Sequence, residues 1–193
     1  NTFISQAQTY KRSVASKYIP AGGGEIISKI READQYLISV KYDGHFYLLC
    51  FEKGEVALVS PGGNVIDDLP VLDEVKELFG KVKIQHASIP GELYFRKKGR
   101  SRVFDLTANL DDKSPDICFA AFDVLSIDGL EYERSELIEK HKKLDELFPE
   151  GGNVHSVGSK SVESRKDIQD YFKQVVETDN QEGVVVKSSE GMI

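Results

Sequence analysis

The sequence predicts an α+β domain of antiparallel β-sheets with helices packed on their outer faces. Three observations predict it. Short runs rich in Val, Ile, Leu and aromatic residues recur between Gly, Pro and Asp turns, as strands require. Apolar residues recur at helical spacing in several separate segments. Two strand signals meet at Lys53-Gly54, which is hairpin chemistry. The 193 residues suffice for one domain with a real core, and 40% hydrophobic with 30% charged residues is a globular rather than a disordered composition.

Taken in order, residues Ser5 to Lys17 read as a first helix, ended by Tyr18-Ile19-Pro20 and Gly22-Gly23-Gly24. Ile26, Ile27, Ile30 and Ala33 predict a short amphipathic helix before an apolar strand, Leu37 to Lys41. The hairpin follows, His45 to Glu52 and Glu55 to Ser60, and Pro61-Gly62-Gly63-Asn64 turns the chain. Leu69, Leu72, Val75 and Leu78 mark a helix that closes at Gly80. Strands are expected at about 82–86 and 87–95, near Val103, and from Ile117 to Leu125, with a turn at Ile127-Asp128-Gly129. Ser135 is placed to cap a helix with Leu137, Ile138, His141, Leu144, Leu147 and Phe148 on its apolar face, stopped by Pro149. A short strand at 153–157 leads to a helix opened by the capping box Ser164-x-x-Asp167, with Ile168, Tyr171, Phe172, Val175 and Val176 inward. Gly183 to Lys187 is the last strand.

Composition excludes some functions. No apolar run approaches membrane-spanning length, so no membrane partner is expected. Cys50 and Cys118 lie in strand-like runs without metal-ligand spacing and read as buried free thiols, which with the lack of a signal peptide points to an intracellular protein. The histidines have no ligand-like spacing. A net charge of −7 does not advertise nucleic-acid binding, yet Arg96, Lys97, Lys98, Arg100 and Arg102 put five cations in seven residues. The segment before Glu25, with Lys11, Arg12 and Lys17, is free of acids and faintly like a transit peptide, and a chain opening at Asn1 suits a trimmed or incomplete sequence.

Chemistry concentrates at Lys41-Tyr42-Asp43-Gly44. A lysine ending an apolar strand is expected near the interior, where desolvation favours the neutral, nucleophilic amine. Gly44 lets backbone approach a ligand. Downstream stand Gly91-Glu92-Leu93, then Phe122-Asp123, then Glu182-Gly183-Val184-Val185-Val186-Lys187. Glu92 lies 51 residues after Lys41, Phe122 30 after Glu92, and Glu182 60 after Phe122.

In this order the four segments resemble motifs I, III, IIIa and IV of the covalent nucleotidyltransferase superfamily, and most of all the adenylation domain of ATP-dependent DNA ligases. The resemblance implies the ATP-grasp-like nucleotidyltransferase fold of ligases and a role for each residue. Lys41 is the nucleophile that takes AMP from ATP. Asp43 and Gly44 belong to the nucleotide site, Glu92 holds the ribose, Phe122 stacks on the base, and Lys187 faces the α-phosphate. Glu182 carries Mg²⁺ (or Mn²⁺), a hard cation that takes oxygen ligands. Structural readings stand beside these roles: core packing for Phe122, a turn for Asp43, a solvated strand position for Glu92, a strand-end charge for Lys187.

The pattern departs in places. The Arg usual two residues after the motif I glycine is Phe46, a Glu usual two before the lysine is Ser39, and Ser60-Pro61-Gly62-Gly63 replaces Ser-Arg-x-Gly. Motif V and an oligonucleotide-binding domain are expected after this segment, so residues 1–193 read as an incomplete nucleotidyltransferase domain. The expected partner is nicked double-stranded DNA, in repair or replication, with the basic cluster 96–102 on its phosphates and the protein a monomer. RNA ligase, capping guanylyltransferase and an inactive nucleotide- or nucleic-acid-binding module are the alternatives.

Overall fold

The computed structural model of the chain describes residues 2–188. Helix α1 spans Thr2–Ser13, shorter at its end than the periodicity predicts. The Ser13 and Ser16 hydroxyls donate to the carbonyls of Thr9 and Arg12, competing with helical bonding, and 15–17 form a single 3₁₀ turn. The second predicted helix is one turn, α2 (Ile26–Lys29). Its apolar spacing runs on to Ala33, but the Tyr36 hydroxyl donates to the Arg31 carbonyl and accepts from the Ala33 N–H, holding that stretch as a loop.

Strands β1 (Tyr36–Lys41), β2 (His45–Glu52) and β3 (Glu55–Val59) fall where expected, with Lys53 and Gly54 at positive φ in the hairpin turn. A two-residue strand β4 (Val65–Ile66) and helix α3 (Pro70–Val82) follow. The next strand, β5 (His86–Phe95), is one continuous element rather than two, because α3 takes up Val82. Pro90 is tolerated inside β5. Its carbonyl faces Phe122, at the gap where β6 (Ile117–Ala121) has ended and β7 (Ser126–Ile127) has not begun, so the N–H it lacks is not missed.

The stretch near Val103 is helix α4 (Val103–Leu110) instead of a strand. Asp105 accepts from the Arg102 N–H in its first turn, a start signal stronger than the β-branched valine. β6 stops at Ala121 because the Asp123 carboxylate turns back onto the Val124 N–H. After β7 and its partner β8 (Leu130–Glu131), helix α5 (Leu137–Leu147) starts with Glu136, not Ser135, at its N-cap position and with no side-chain cap. Ile138 is exposed, while Lys140 is buried in the stripe beside Leu137, His141 and Leu144. Strands β9 (Val154–Ser156) and β10 (Lys160–Val162), helix α6 (Arg165–Lys173) with its predicted Ser164 cap, and β11 (Gly183–Ser188) complete the chain.

Two sheets result. The large one runs β4-β3-β2-β5-β6-β9 with β7 and β8 attached, antiparallel except for β6 with β9. The small one runs β10-β1-β11, antiparallel throughout. Helices α3 and α5 bury Leu72, Val75, Phe79, Leu144 and Phe148 against Leu93 and Phe119 on one face of the large sheet. Helix α1 sets Ala7 on Leu48, Cys50 and Val59 of the other face. Helices α2 and α6 cover the small sheet, with Ile26 and Ile168 on Tyr36, Ile38, Val184 and Val186. Period-two alternation then puts Leu37, Ser39, Lys41, Gly183, Val185 and Lys187 on the small sheet's other face. Both cysteines are buried free thiols, and burial pushes Cys50 up to about 12. Among the described residues no helix is long and apolar enough to cross a membrane.

Candidate active site

Lys41 ends β1 opposite Gly183, which begins β11. The register carries Glu182 alongside, and the Lys41 Nζ donates to Glu182 Oε1 at 2.5 Å. The lysine side chain is 50% exposed and the glutamate 25%. The desolvated setting expected for Lys41 is therefore not found, because the strand ends at the cleft rather than inside the sheet. Its environment is electrostatic: a carboxylate within proton-transfer distance. Asp43 Oδ2 lies 3.9 Å from Arg100 Nη2. Gly44 is required sterically, since a Cβ there would stand 2.1 Å from the Leu93 carbonyl oxygen. Gly91 is equally constrained, with Phe119 ring carbon at 2.3 Å and the Ala120 carbonyl at 2.8 Å from a Cβ.

Those two glycines let β2, β5 and β6 close around Glu92, whose ladder neighbours are Phe46 and Ala120. Desolvation raises the Glu92 carboxyl to about 7, and the charges of Glu182 and Asp43 push the same way. Lys41 and the donating N–H of Gly44 pull it back. Lys41, Asp43, Gly44, Glu92 and Glu182 thus form one electrostatic unit, as the motif order predicts.

Phe122 lies beyond the end of β6. Its ring centroid is 6.1 Å from Phe46 and 6.2 Å from Tyr10, and Tyr10 stacks on Phe46 at 5.6 Å. This cluster explains why a Phe fits where a motif I cation is usual. Lys187 Nζ donates to the Phe122 carbonyl at 3.4 Å and is drawn below the usual lysine range by desolvation, against the pull of Asp123. Lys187 and Phe122 are thereby joined to each other, apart from the Lys41–Glu182 pair.

Beneath them lies a buried group that sequence reading passed over. Asp123 pairs with Lys140 at 3.2 Å, both at most 3% exposed, and accepts from the Tyr10 hydroxyl at 2.8 Å. His141, next to Lys140, bonds Ser159 Oγ through Nδ1, and burial with nearby Lys187 lowers it to about 4. The signal was a lysine inside the apolar stripe of α5, three residues after Leu137.

The cations of the basic cluster take different partners. Arg96 donates to Asn153 Oδ1 and the Gly152 carbonyl, Lys97 pairs with Asp105 at 2.6 Å, and Arg100 turns towards Asp43. Lys98 and Arg102 are exposed. Between this loop and Lys41 lies a cleft of about 150 Å³ lined by Lys41, Asp43, Gly99, Ser101, Gln181 and Glu182. A larger groove of about 710 Å³ continues past Tyr42, Tyr94, Arg96, His155 and Lys160.

For a divalent cation, the fitting group is Glu182. Its Oε2 is buried and lacks a hydrogen-bond partner, an unsatisfied hard oxygen on a residue that lines the cleft beside the lysine. Among the described residues no group of three or more His, Cys, Asp or Glu is placed to hold a metal.

Comparison with known proteins gives the family and the fold. The chain is 30% identical to DNA ligase 4 of Gallus gallus over 116 residues, covering 55% of the chain and 12% of that protein. It is 23% identical to a DNA ligase of Sulfolobus acidocaldarius over 176 residues, covering 85% of the chain and 28% of the relative. The fold matches the ligase domain of M. tuberculosis LigD with a TM-score of 0.62 at 20% identity, over 83% of this chain and 50% of that one. The chain spans less than a third of the curated relatives it matches. The family model of the ATP dependent DNA ligase domain matches residues 22–192, most of the chain, and the chain belongs to that family.

Proposed function

We propose that residues 1–193 serve as the adenylation domain of an ATP-dependent DNA ligase, with Lys41 as the residue that carries AMP. The observation that carries this reading is the Lys41 Nζ at 2.5 Å from Glu182 in an open cleft, with Glu92 near enough to interact with both charges. Lys41 passes a proton to Glu182, and its free amine attacks the α-phosphate of ATP. The N–P bond forms as the bond to the bridging oxygen breaks, pyrophosphate leaves with the electron pair, and loss of the second proton gives a lysyl-AMP phosphoramidate. AMP then passes to the 5′-phosphate of a nicked duplex, and attack by the 3′-hydroxyl seals the strand and releases AMP.

Glu92, protonated up to about pH 7 before nucleotide binds, is suited to the ribose hydroxyls, and Phe122 to the base. Lys187 waits on the Phe122 carbonyl, a weak bond that a phosphate oxygen would replace. Glu182 Oε2 would hold Mg²⁺ or Mn²⁺, which when bound draws charge from the phosphate oxygens. Exposed Lys98 and Arg102 are suited to the phosphates of the nicked DNA, the sequence-independent contact that end joining needs.

The test is incubation of the full-length protein with α-labelled ATP and Mg²⁺. An acid-labile covalent label, absent from Lys41→Ala, supports the reading, and a label retained by that variant removes Lys41 as nucleophile. RNA ligase is the second reading, favoured by Phe46 in the place of a substrate-facing cation. Sealing of a nicked RNA duplex in preference to DNA would establish it.

A further inference from the structure

The loop between β5 and α4 lines the cleft through Gly99 and Ser101 and carries two donors without a hydrogen-bond partner. Arg100 Nε and Ser101 Oγ are both buried without a hydrogen bond. The Arg100 guanidinium stands 3.9 Å from Asp43, too far for a hydrogen bond, so Asp43 attracts it without satisfying it. Ser101 lines the same cleft as Lys41 and Glu182. Unpaired buried donors are costly and rare in a folded chain, and together a guanidinium and a hydroxyl call for an anion with several oxygens.

The segment that follows Lys41, through strand β2, supplies no such cation. Phe46 packs against Tyr10 and Phe122 instead. Arg96 and Lys97 on the same loop are held by Asn153, Gly152 and Asp105, whereas Arg100 reaches Asp43, two residues beyond the nucleophile.

We propose that Arg100 and Ser101 clamp the triphosphate of the nucleotide that reacts at Lys41. Arg100 donates from Nε and Nη2 to phosphate oxygens, Ser101 donates from Oγ, and Asp43 keeps the guanidinium at the cleft until nucleotide arrives. The clamp steadies the pyrophosphate as the bond to the α-phosphate breaks. It rests on the reading of Lys41 as the nucleophile, and it makes Arg100 a nucleotide residue and not part of a duplex-binding patch.

Two measurements on the full-length protein test it: single-turnover labelling across a range of α-labelled ATP, and sealing of a nicked duplex by protein already carrying AMP. Arg100→Ala is expected to slow labelling and raise the half-saturating ATP by about tenfold or more, as loss of a charge-assisted hydrogen bond does. Ser101→Ala should cost about threefold. Arg100→Lys should recover part of the loss, and sealing by the preloaded protein should stay within about twofold of wild type. The clamp is overturned by wild-type labelling in Arg100→Ala. It is also overturned by a defect confined to preloaded sealing, which would assign Arg100 to the 5′-phosphate of the nick. A lysine variant no better than alanine, with both melting early, would leave Arg100 a structural residue and overturn it as well. A wild-type protein that fails to label, or a labelled Lys41→Ala, fails the nucleophile reading itself.

Discussion

Two of the domain's lysine–carboxylate pairs, one sealed and one open, do opposite work. Lys140 and Asp123 meet at 3.2 Å with both side chains sealed from water, and the carboxylate also takes the Tyr10 hydroxyl and the Val124 N–H. Lys41 and Glu182 meet at 2.5 Å at the mouth of a cleft, the lysine half exposed and one glutamate oxygen left unpaired. Sealing makes a charge pair indispensable to the fold, because either partner alone would be a buried unpaired ion. Leaving the pair open and incompletely satisfied makes it nearly neutral for stability and available for chemistry.

The comparison breaks most sharply at the two lysines. Lys41→Ala is expected to abolish covalent nucleotide labelling while changing unfolding free energy by less than about 1 kcal/mol, as for other exposed pairs. Denaturant titration and labelling on the same preparation decide it, and a large loss of stability would make Lys41 structural. Lys140→Ala should do the reverse and cost about 3–5 kcal/mol, the usual result of stripping one member from a buried pair. A loss under about 1 kcal/mol would mean that nearby Lys187 alone neutralises Asp123.

A smaller effect separates the two regions by pH. Glu92 keeps its proton in the folded chain up to about 7, but only through the ordinary carboxylate range when unfolded. The folded state therefore binds more protons between these limits, and the Glu92 contribution to stability falls as pH rises through that window. His141 acts in the opposite sense. Held to about 4 when folded, it is neutral where the unfolded chain is protonated, so its contribution rises between about 4 and its ordinary value of 6.5. In wild type the two slopes offset each other. Glu92→Gln should unmask a stability that climbs from pH 4.5 to 7, measured by urea midpoints, and an unchanged profile would place the Glu92 carboxyl back in the ordinary range. Least of all, Lys98→Ala and Arg102→Ala should each lower the salt slope of nicked-duplex binding by about one, with labelling unaffected. An unchanged slope would remove these exposed cations from the DNA interface.

Legibility followed physical locality. Hairpin β2–β3, helix α3 and the Ser164 cap depend on neighbours within a few residues, and each was readable. The strand expected near Val103 failed because Asp105, three residues beyond Arg102, outweighs one valine's preference. The helix expected over 26–33 stops at Lys29 because Tyr36, still further along, binds the backbone of Arg31 and Ala33. Lys140 looked like a solvated helix charge, and only the approach of Asp123 and Tyr10 accounts for its burial. The basic run 96–102 looked uniform, yet its cations go to Asn153, Asp105 and Asp43, partners up to 57 residues away.

By itself the sequence determined the family, and with it the order of Lys41, Glu92, Phe122 and Glu182 on which the proposed nucleotide transfer rests. Tertiary structure alone decided protonation, pairing and direction. Whether Glu92 is protonated depends on what surrounds it across three strands, and which cation meets Asp43 depends on where a loop 57 residues later folds back. Those are properties of dielectric and distance, set only when remote segments meet.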